Sequence, residues 1–253
     1  YLTGQAGASA MLNIITGKVN PSGRLSETYP IKYEDTPAFR NYPSTQRNAE
    51  HREGIYIGYR YYDTSGVRVQ YPFGYGLSYT DFEYSDLKAD ETGVTFTLEN
   101  VGDRDGAEVA QLYIGMKDGK VFRPAKELKG FAKVFLKAGE SKEVRIPFDD
   151  KTFRYWNVLT NAWEVEEGTY QIMVGASAAN IRLECEIKTA GTSTEIPYKK
   201  EELPSYYSGI VQQVEDKEFE TLLGRPIPAG KWVGDLTVND CLLYTSDAAD
   251  DKA

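Results

Sequence analysis

The chain has one histidine and two cysteines among its 253 residues. His51, Cys185 and Cys241 lie far apart in the sequence, so none of them has the spacing of a metal-ligand set, and no metal is expected. Two cysteines close one bridge at most, which excludes a disulfide framework. Cysteine usage does not fix a compartment; a cytoplasmic setting is favoured over a periplasmic or secreted one. A run of about 18 consecutive apolar residues, the length a membrane helix needs, is missing, and no membrane partner is expected. Clustered basic charge is missing too. Lys and Arg number 29 against 38 Asp and Glu, for a net charge of −9, a poor balance for gripping phosphates, and no nucleic-acid partner is expected. The phosphate-binding patterns GxGxxG and GxxxxGK[ST] do not occur, and no organic cofactor is expected. The nearest stretch to the serine-hydrolase GxSxG, Gly76-Leu77-Ser78-Tyr79-Thr80, lacks the last glycine. His51 stands alone in a polar stretch, NAEHREG, and reads as a solvated residue.

What is present is an ordinary globular composition, 41% hydrophobic and 26% charged, enough for one large domain or two modest ones. Residues 4–16 are expected to form a helix, with Ala10, Met11, Ile14 and Ile15 on one face and Gly17 as its stop. Asn20-Pro21-Ser22-Gly23 is a turn signal. Residues 31–54 are polar and contain Pro37 and Pro43; they read as a long loop that packs over a neighbouring surface. The stretch IYIGYRYY, residues 55–62, has the content of a strand.

From about residue 83 the pattern alternates with period two. Val94, Phe96 and Leu98 share one face, as do Ala110, Leu112 and Ile114, then Val144, Ile146 and Phe148. Tyr170, Ile172 and Val174 continue the pattern, followed by Ile181, Leu183, Cys185 and Ile187. About seven short strands separated by turn clusters predict an antiparallel β-sandwich. Trp156 and Trp163, either side of the Thr160-Asn161 turn, are expected to cap one end of its core. Cys185 is expected to be a small core residue. Lys126, Lys129 and Lys133 read as a charged strand edge, and Glu166-Glu167 as a solvated turn. Residues 188–215 are weakly patterned. The following VEDKEFETLLG reads as a short helix with Phe219, Leu222 and Leu223 on one face.

The densest feature is YPFGYGLSYT, residues 71–80. Its rings are compatible with a sugar-stacking platform or with packing between domains. Gly74 and Gly76 permit tight turns and close backbone approach, and the rings supply large buried area at low entropy cost. These properties favour packing.

The order of segments resembles the C-terminal portion of glycoside hydrolase family 3. GQAGASAMLNIITGKVNPSGRLSETYP, residues 4–30, is similar to the stretch that closes the family's α/β sandwich domain. IYIGYRYYDTSGVRVQYPFGYGLSYTDFEY, residues 55–84, resembles its connector into a third domain. EVAQLYI, RPAKELKGFAKVFLKAGES and WEVEEGTYQIMVGASAANIRL resemble that third domain, a fibronectin type III-like sandwich. VEDKEFETLLGRPIP resembles a tail found in some members. Ala6 and Ala8 depart from the family's GQEGG.

The resemblance implies a mainly β fold, a fibronectin type III-like antiparallel sandwich preceded by the last piece of an α/β sandwich domain. The expected divisions are 1–30 for that piece, 31–82 for the connector, 83–190 for the sandwich and 191–240 for a tail with a short helix. Residues 241–253, CLLYTSDAADDKA, break the pattern; they match the translation of a transposase-type sequencing adapter and are expected to be read-through. The chain opens on Tyr1 and is expected to come from a longer parent. The family's retaining mechanism uses an Asp nucleophile from a (β/α)8 barrel and a Glu acid/base from the α/β domain. Both are expected upstream, so no catalytic, cofactor-binding or metal residue is assigned to this chain. The expected partners are those upstream domains of the same parent, with a β-linked glucoside or oligosaccharide as its substrate. A β-xylosidase or related exo-glycosidase is the alternative within the family. A non-catalytic fibronectin-like carbohydrate-binding or adhesion module is the alternative of another class.

Overall fold

The computed structural model describes residues 4–42 and 48–228. Pro43 and the segment 241–253, for which expectations were stated above, lie outside the described residues. The chain begins with helix α1 (Gly7–Ile15), strand β1 (Tyr29–Pro30) and a 3-10 turn at Tyr33–Asp35. Helix α2 (Tyr59–Ser65) and strand β2 (Val69–Tyr71) follow, with β2 antiparallel to β1. Then come β3 (Phe82–Asp90), β4 (Gly93–Asn100), β5 (Gly106–Gly115), β6 (Glu127–Leu136) and β7 (Ser141–Pro147). After these lie β8 (Arg154–Asn157), β9 (Ala162–Val165), β10 (Gly168–Ser177) and β11 (Asn180–Thr189). Helices α3 (Pro204–Ser208) and α4 (Asp216–Leu223) end the described chain.

The alternating residues build the expected sandwich. One sheet has the order β11-β10-β5-β6 and the other β3-β4-β7, and every pair is antiparallel. Leu112 stands opposite Val174 and Ile114 opposite Ile172 in one sheet, and Phe96 opposite Val144 in the other. These side chains meet between the sheets with Leu98, Leu136, Ile146 and Tyr170. Cys185 is a half-buried member of that packing. Period two works here because each strand of such a sandwich presents one face to the core.

Strand β5, with β10 beside it, departs from this pattern. Its second face carries Gln111 and Tyr113, and both are as deeply buried as Leu112. Tyr113, Met173 and Ala178 form a smaller core on the outside of the four-stranded sheet, covered by Tyr59, Phe73 and Leu128.

The strand expected at 55–62 is a turn followed by α2. Gly58 takes φ +57, a left-handed value that interrupts an extended run. Gly66, also left-handed, caps the helix C-terminus. Thr64 and Ser65 donate to the carbonyls of Arg60 and Tyr61 one turn earlier. The dense tyrosines fill a helix face: Tyr61 and Tyr62 are buried.

The weakly patterned tail provides the other half of that core. Tyr56, Tyr61 and Tyr62 pack with Leu203, Tyr206, Val211, Val214 and Phe219. The Tyr56 hydroxyl donates to the Tyr206 carbonyl, and the Tyr206 hydroxyl donates to the Arg52 carbonyl at 2.8 Å. Arg52 donates to the Val214 carbonyl at 2.7 Å, pairs with Glu50 and Asp216, and lies over the Phe219 ring. Leu223, expected on the buried face of α4, is exposed. The long loop packs as expected: Gln212 donates to the carbonyls of Glu34 and Thr36. Tyr206→Ala is therefore expected to cost about 4 kcal/mol in chemical denaturation, whereas Leu223→Ala stays within about 0.5 kcal/mol.

Candidate functional site: an aromatic clasp on the sandwich

Residues 71–80 lie between the N-terminal segment and strand β5, and bond to both. Gly74 N–H donates to the Leu25 carbonyl at 2.8 Å, and Leu25 N–H donates to the Tyr75 carbonyl at 2.8 Å. On the other side, Ala178 N–H, at the β10–β11 turn, donates to the Phe73 carbonyl at 2.9 Å. Phe73 stacks on Tyr59 with ring centroids 4.6 Å apart, and Tyr59 meets Tyr113 edge-on at 5.9 Å. The Tyr59 hydroxyl in turn accepts from Leu128 N–H at 2.8 Å.

The buried amide of Gln111 ties these pieces together. Its Nε2 donates to the carbonyls of Gly74 at 3.2 Å and Ala176 at 2.8 Å, and its Oε1 accepts from the Tyr113 hydroxyl at 2.6 Å. Gly74 has φ +78, and a Cβ there would collide with the Gln111 side chain. Both the conformation and the space require glycine.

Asn20 and Arg24, from the turn after α1, complete the clasp. Asn20 Oδ1 accepts from Tyr79 N–H at 2.8 Å and Ser78 Oγ at 3.1 Å, while its Nδ2 donates to the Asp105 carbonyl at 3.0 Å. The Tyr79 hydroxyl donates to the Ile14 carbonyl at 2.8 Å. Arg24 pairs with Glu108 at 2.5 Å, with side-chain exposures of 11% and 4%. The second oxygen of Glu108 accepts from the Tyr84 hydroxyl at 2.9 Å. These groups border a cleft of about 460 Å³ that Arg182 and Asp81 also line.

Burial pushes the Glu108 carboxyl above its ordinary value, against the pull of Arg24 and the Tyr84 hydroxyl. Burial, reinforced by the Glu108 charge, also raises the Tyr84 phenol. Both Glu108 oxygens are engaged in holding the clasp, so the carboxylate serves as a fastener rather than a free base. Elsewhere, three expected surface charges prove to be engaged, Lys129 with Glu127 at 3.2 Å among them. Glu166 is buried against Arg123 at 2.6 Å, and Lys126 pairs with Asp63 at 2.9 Å. His51 is largely exposed and lies 3.2 Å from Glu53. Trp156 and Trp163 do not cap the core; they are exposed on the β8–β9 hairpin, which pairs with neither sheet. Among the described residues no group of His, Cys, Asp and Glu is arranged to hold a metal, and no helix is long and apolar enough to cross a membrane.

Sequence reasoning located the ring-rich stretch and placed Asn20 in a turn, but gave Asn20, Arg24 and Gln111 no role. The available signal was Tyr113: a large ring in the outward register of a strand implies a second buried face.

The sandwich is fastened in this way to the segment before it. Residues 1–79 match the glycosyl hydrolase family 3 C-terminal domain, and residues 108–178 match the fibronectin type III-like domain. The thermostable β-glucosidase B of Acetivibrio thermocellus is 42% identical over 200 residues, 76% of this chain and 26% of that protein. An exo-α-(1→6)-L-arabinopyranosidase of Bifidobacterium longum is 46% identical over 186 residues, 72% of this chain and 25% of that protein. A family 3 β-glucosidase structure from Bifidobacterium adolescentis superposes with a TM-score of 0.73 at 41% identity, covering 79% of this chain and 30% of that one. The chain belongs to glycoside hydrolase family 3 and corresponds to the C-terminal portion of its members. It spans about a quarter of the length of the curated relatives it matches.

Two predictions follow from the clasp geometry. Gly74→Ala is expected to lower stability by about 2 kcal/mol or more, read by thermal unfolding. Arg24→Met leaves a buried carboxylate unpaired and is expected to cost about 3 kcal/mol at neutral pH. A raised folded-state pKa means the folded chain holds the proton more tightly, so Glu108's contribution to stability falls as pH rises above its ordinary value of 4.5. Acidification therefore protonates the stranded carboxyl, and the Arg24→Met deficit shrinks between pH 7 and pH 5 in melts of variant and parent.

Proposed function

We propose that the chain is the C-terminal, non-catalytic portion of a retaining β-glucosidase-type exo-glycoside hydrolase, and that its sandwich serves the architecture of that enzyme. The supporting observation is the clasp: Asn20, Arg24 and Leu25 are bonded into residues 73–79 and strand β5. A free-standing carbohydrate-binding or adhesion module has no use for such a fastening. The catalytic carboxylates and the sugar-selecting pocket then belong to the upstream barrel and α/β domain. Two carboxyls and a water suffice for the retaining reaction, so no cofactor is needed.

The identity of the sugar is a separate matter. Relatives with comparable identity carry the names of a β-glucosidase and an arabinopyranosidase. A β-xylosidase or related exo-glycosidase is accordingly the second reading. The test is to express the parent with its upstream reading frame beside the 253-residue chain and assay aryl β-glucosides, β-xylosides and α-arabinopyranosides. Turnover by the parent and none by the chain is expected. Hydrolysis by the chain itself, or a parent inactive on all three substrates, overturns the proposal.

A further inference from the structure

A second cavity, of about 430 Å³, lies between the β8–β9 hairpin, the loop before β6 and tail residues Pro197 and Tyr198. It shares no lining residue with the clasp cleft. Trp156 and Trp163 form one wall, edge to face with centroids 5.4 Å apart, and are 45% and 54% exposed. Burying a side chain of this size is worth about 2–3 kcal/mol, yet both rings stay in solvent.

The hairpin that carries them is anchored. Thr192 N–H donates to the Val165 carbonyl at 2.9 Å, and Val165 N–H donates to Thr192 Oγ1 at 2.8 Å. The fully buried Asn157 donates to the Glu195 carbonyl at 2.9 Å. The indoles are thus held out on a fixed support, which lowers the ordering cost of any ligand that stacks on them.

The charge around the cavity has the opposite sign to the chain as a whole. Five cations line it: Arg60, Arg123, Lys129, Lys151 and Arg154. Three carboxylates pair with them: Glu127 with Arg60 and Lys129, Glu166 with Arg123, and Asp150 with Arg154. Asp149, beside Lys151 and Arg154, is a fourth carboxylate, so five cations against four carboxylates leave a surplus of one positive charge in a protein whose net charge is −9. Lys151 lies beside Asp149 but makes no side-chain hydrogen bond or ion pair among the described residues. The Arg154 guanidinium stacks 4.5 Å over the Trp163 ring; its Nη1 donates to Asp150, while its Nε and Nη2 make no hydrogen bond among the described residues and can meet a planar anion.

We propose that this cavity binds an acidic oligosaccharide, with the apolar face of a pyranose ring against the indoles and a uronate carboxylate on Lys151 and Arg154. Aromatic walls with a few placed polar groups, at this volume, are the composition of a small-ligand site. A simple inorganic anion leaves the rings unused, and a neutral sugar leaves the surplus charge unused. The inference does not depend on the hydrolase reading.

The test uses the full chain carrying Trp232→Phe, so that the two hairpin indoles are the only reporters. Emission is titrated with cellobiouronic acid and with cellobiose. Saturable quenching by the acid is expected, at least about tenfold tighter than by the neutral disaccharide, and weaker at high salt. Lys151→Ala is expected to reduce that preference to below about threefold, and Trp163→Ala to abolish quenching. Far-ultraviolet circular dichroism verifies that both variants remain folded. Equal binding of the two sugars, or no saturable change in folded protein, overturns the proposal. So does concentration-dependent self-association that Trp163→Ala removes, since the hairpin is then a protein interface.

Discussion

Strand β5 is buried on both faces, and the rest of the molecule is arranged around that constraint. One face supplies Leu112 and Ile114 to the sandwich core. The other presents Gln111 and Tyr113 to Tyr59 and to the Phe73–Gly74 turn. A sandwich strand with a solvated outer face needs no cover; this one must have it. The cover is the connector, and the buried Gln111 amide dictates how it sits, because its polar atoms have to find partners. Gly74, Ala176 and Tyr113 are those partners.

The Arg24–Glu108 pair adds direction to this arrangement. A buried ion pair is weak evidence for net stability, since desolvation opposes the attraction. Its value lies in what it disallows: any other seating of the 20–25 turn strands a charge. Together with the two-sided bonding of Asn20, it fixes one relation between the N-terminal segment and the sandwich. The exposed α1 residues Met11 and Ile15 show where that relation leaves apolar surface uncovered.

Much of the sandwich was legible in the sequence, because inward and outward residues alternate along β4, β7 and β11. Less could be read where two segments share one core. IYIGYRYY has strand content, but Gly58 and Gly66 turn it into a helix, and what decides its fate is Tyr206, about 150 residues away. The tail looked polar because its fully inward residues, Leu203, Tyr206, Val211, Val214 and Phe219, are too few and too unevenly spaced for a period to show. The clasp was visible as rings and glycines, while Asn20, Arg24 and Gln111 were not. Isolated polar residues carry no periodic signal, and their partners lie in distant segments.

The closure of Tyr56 onto Tyr206 has a consequence for biosynthesis. The two residues are 150 positions apart, and the whole sandwich is translated between them. While the ribosome is still making the strands, Tyr56, Tyr61 and Tyr62 have no core to enter. These three rings therefore stay wet until residues 203–219 emerge. Chains that have not yet reached Leu203 expose an aromatic surface that the folded chain buries.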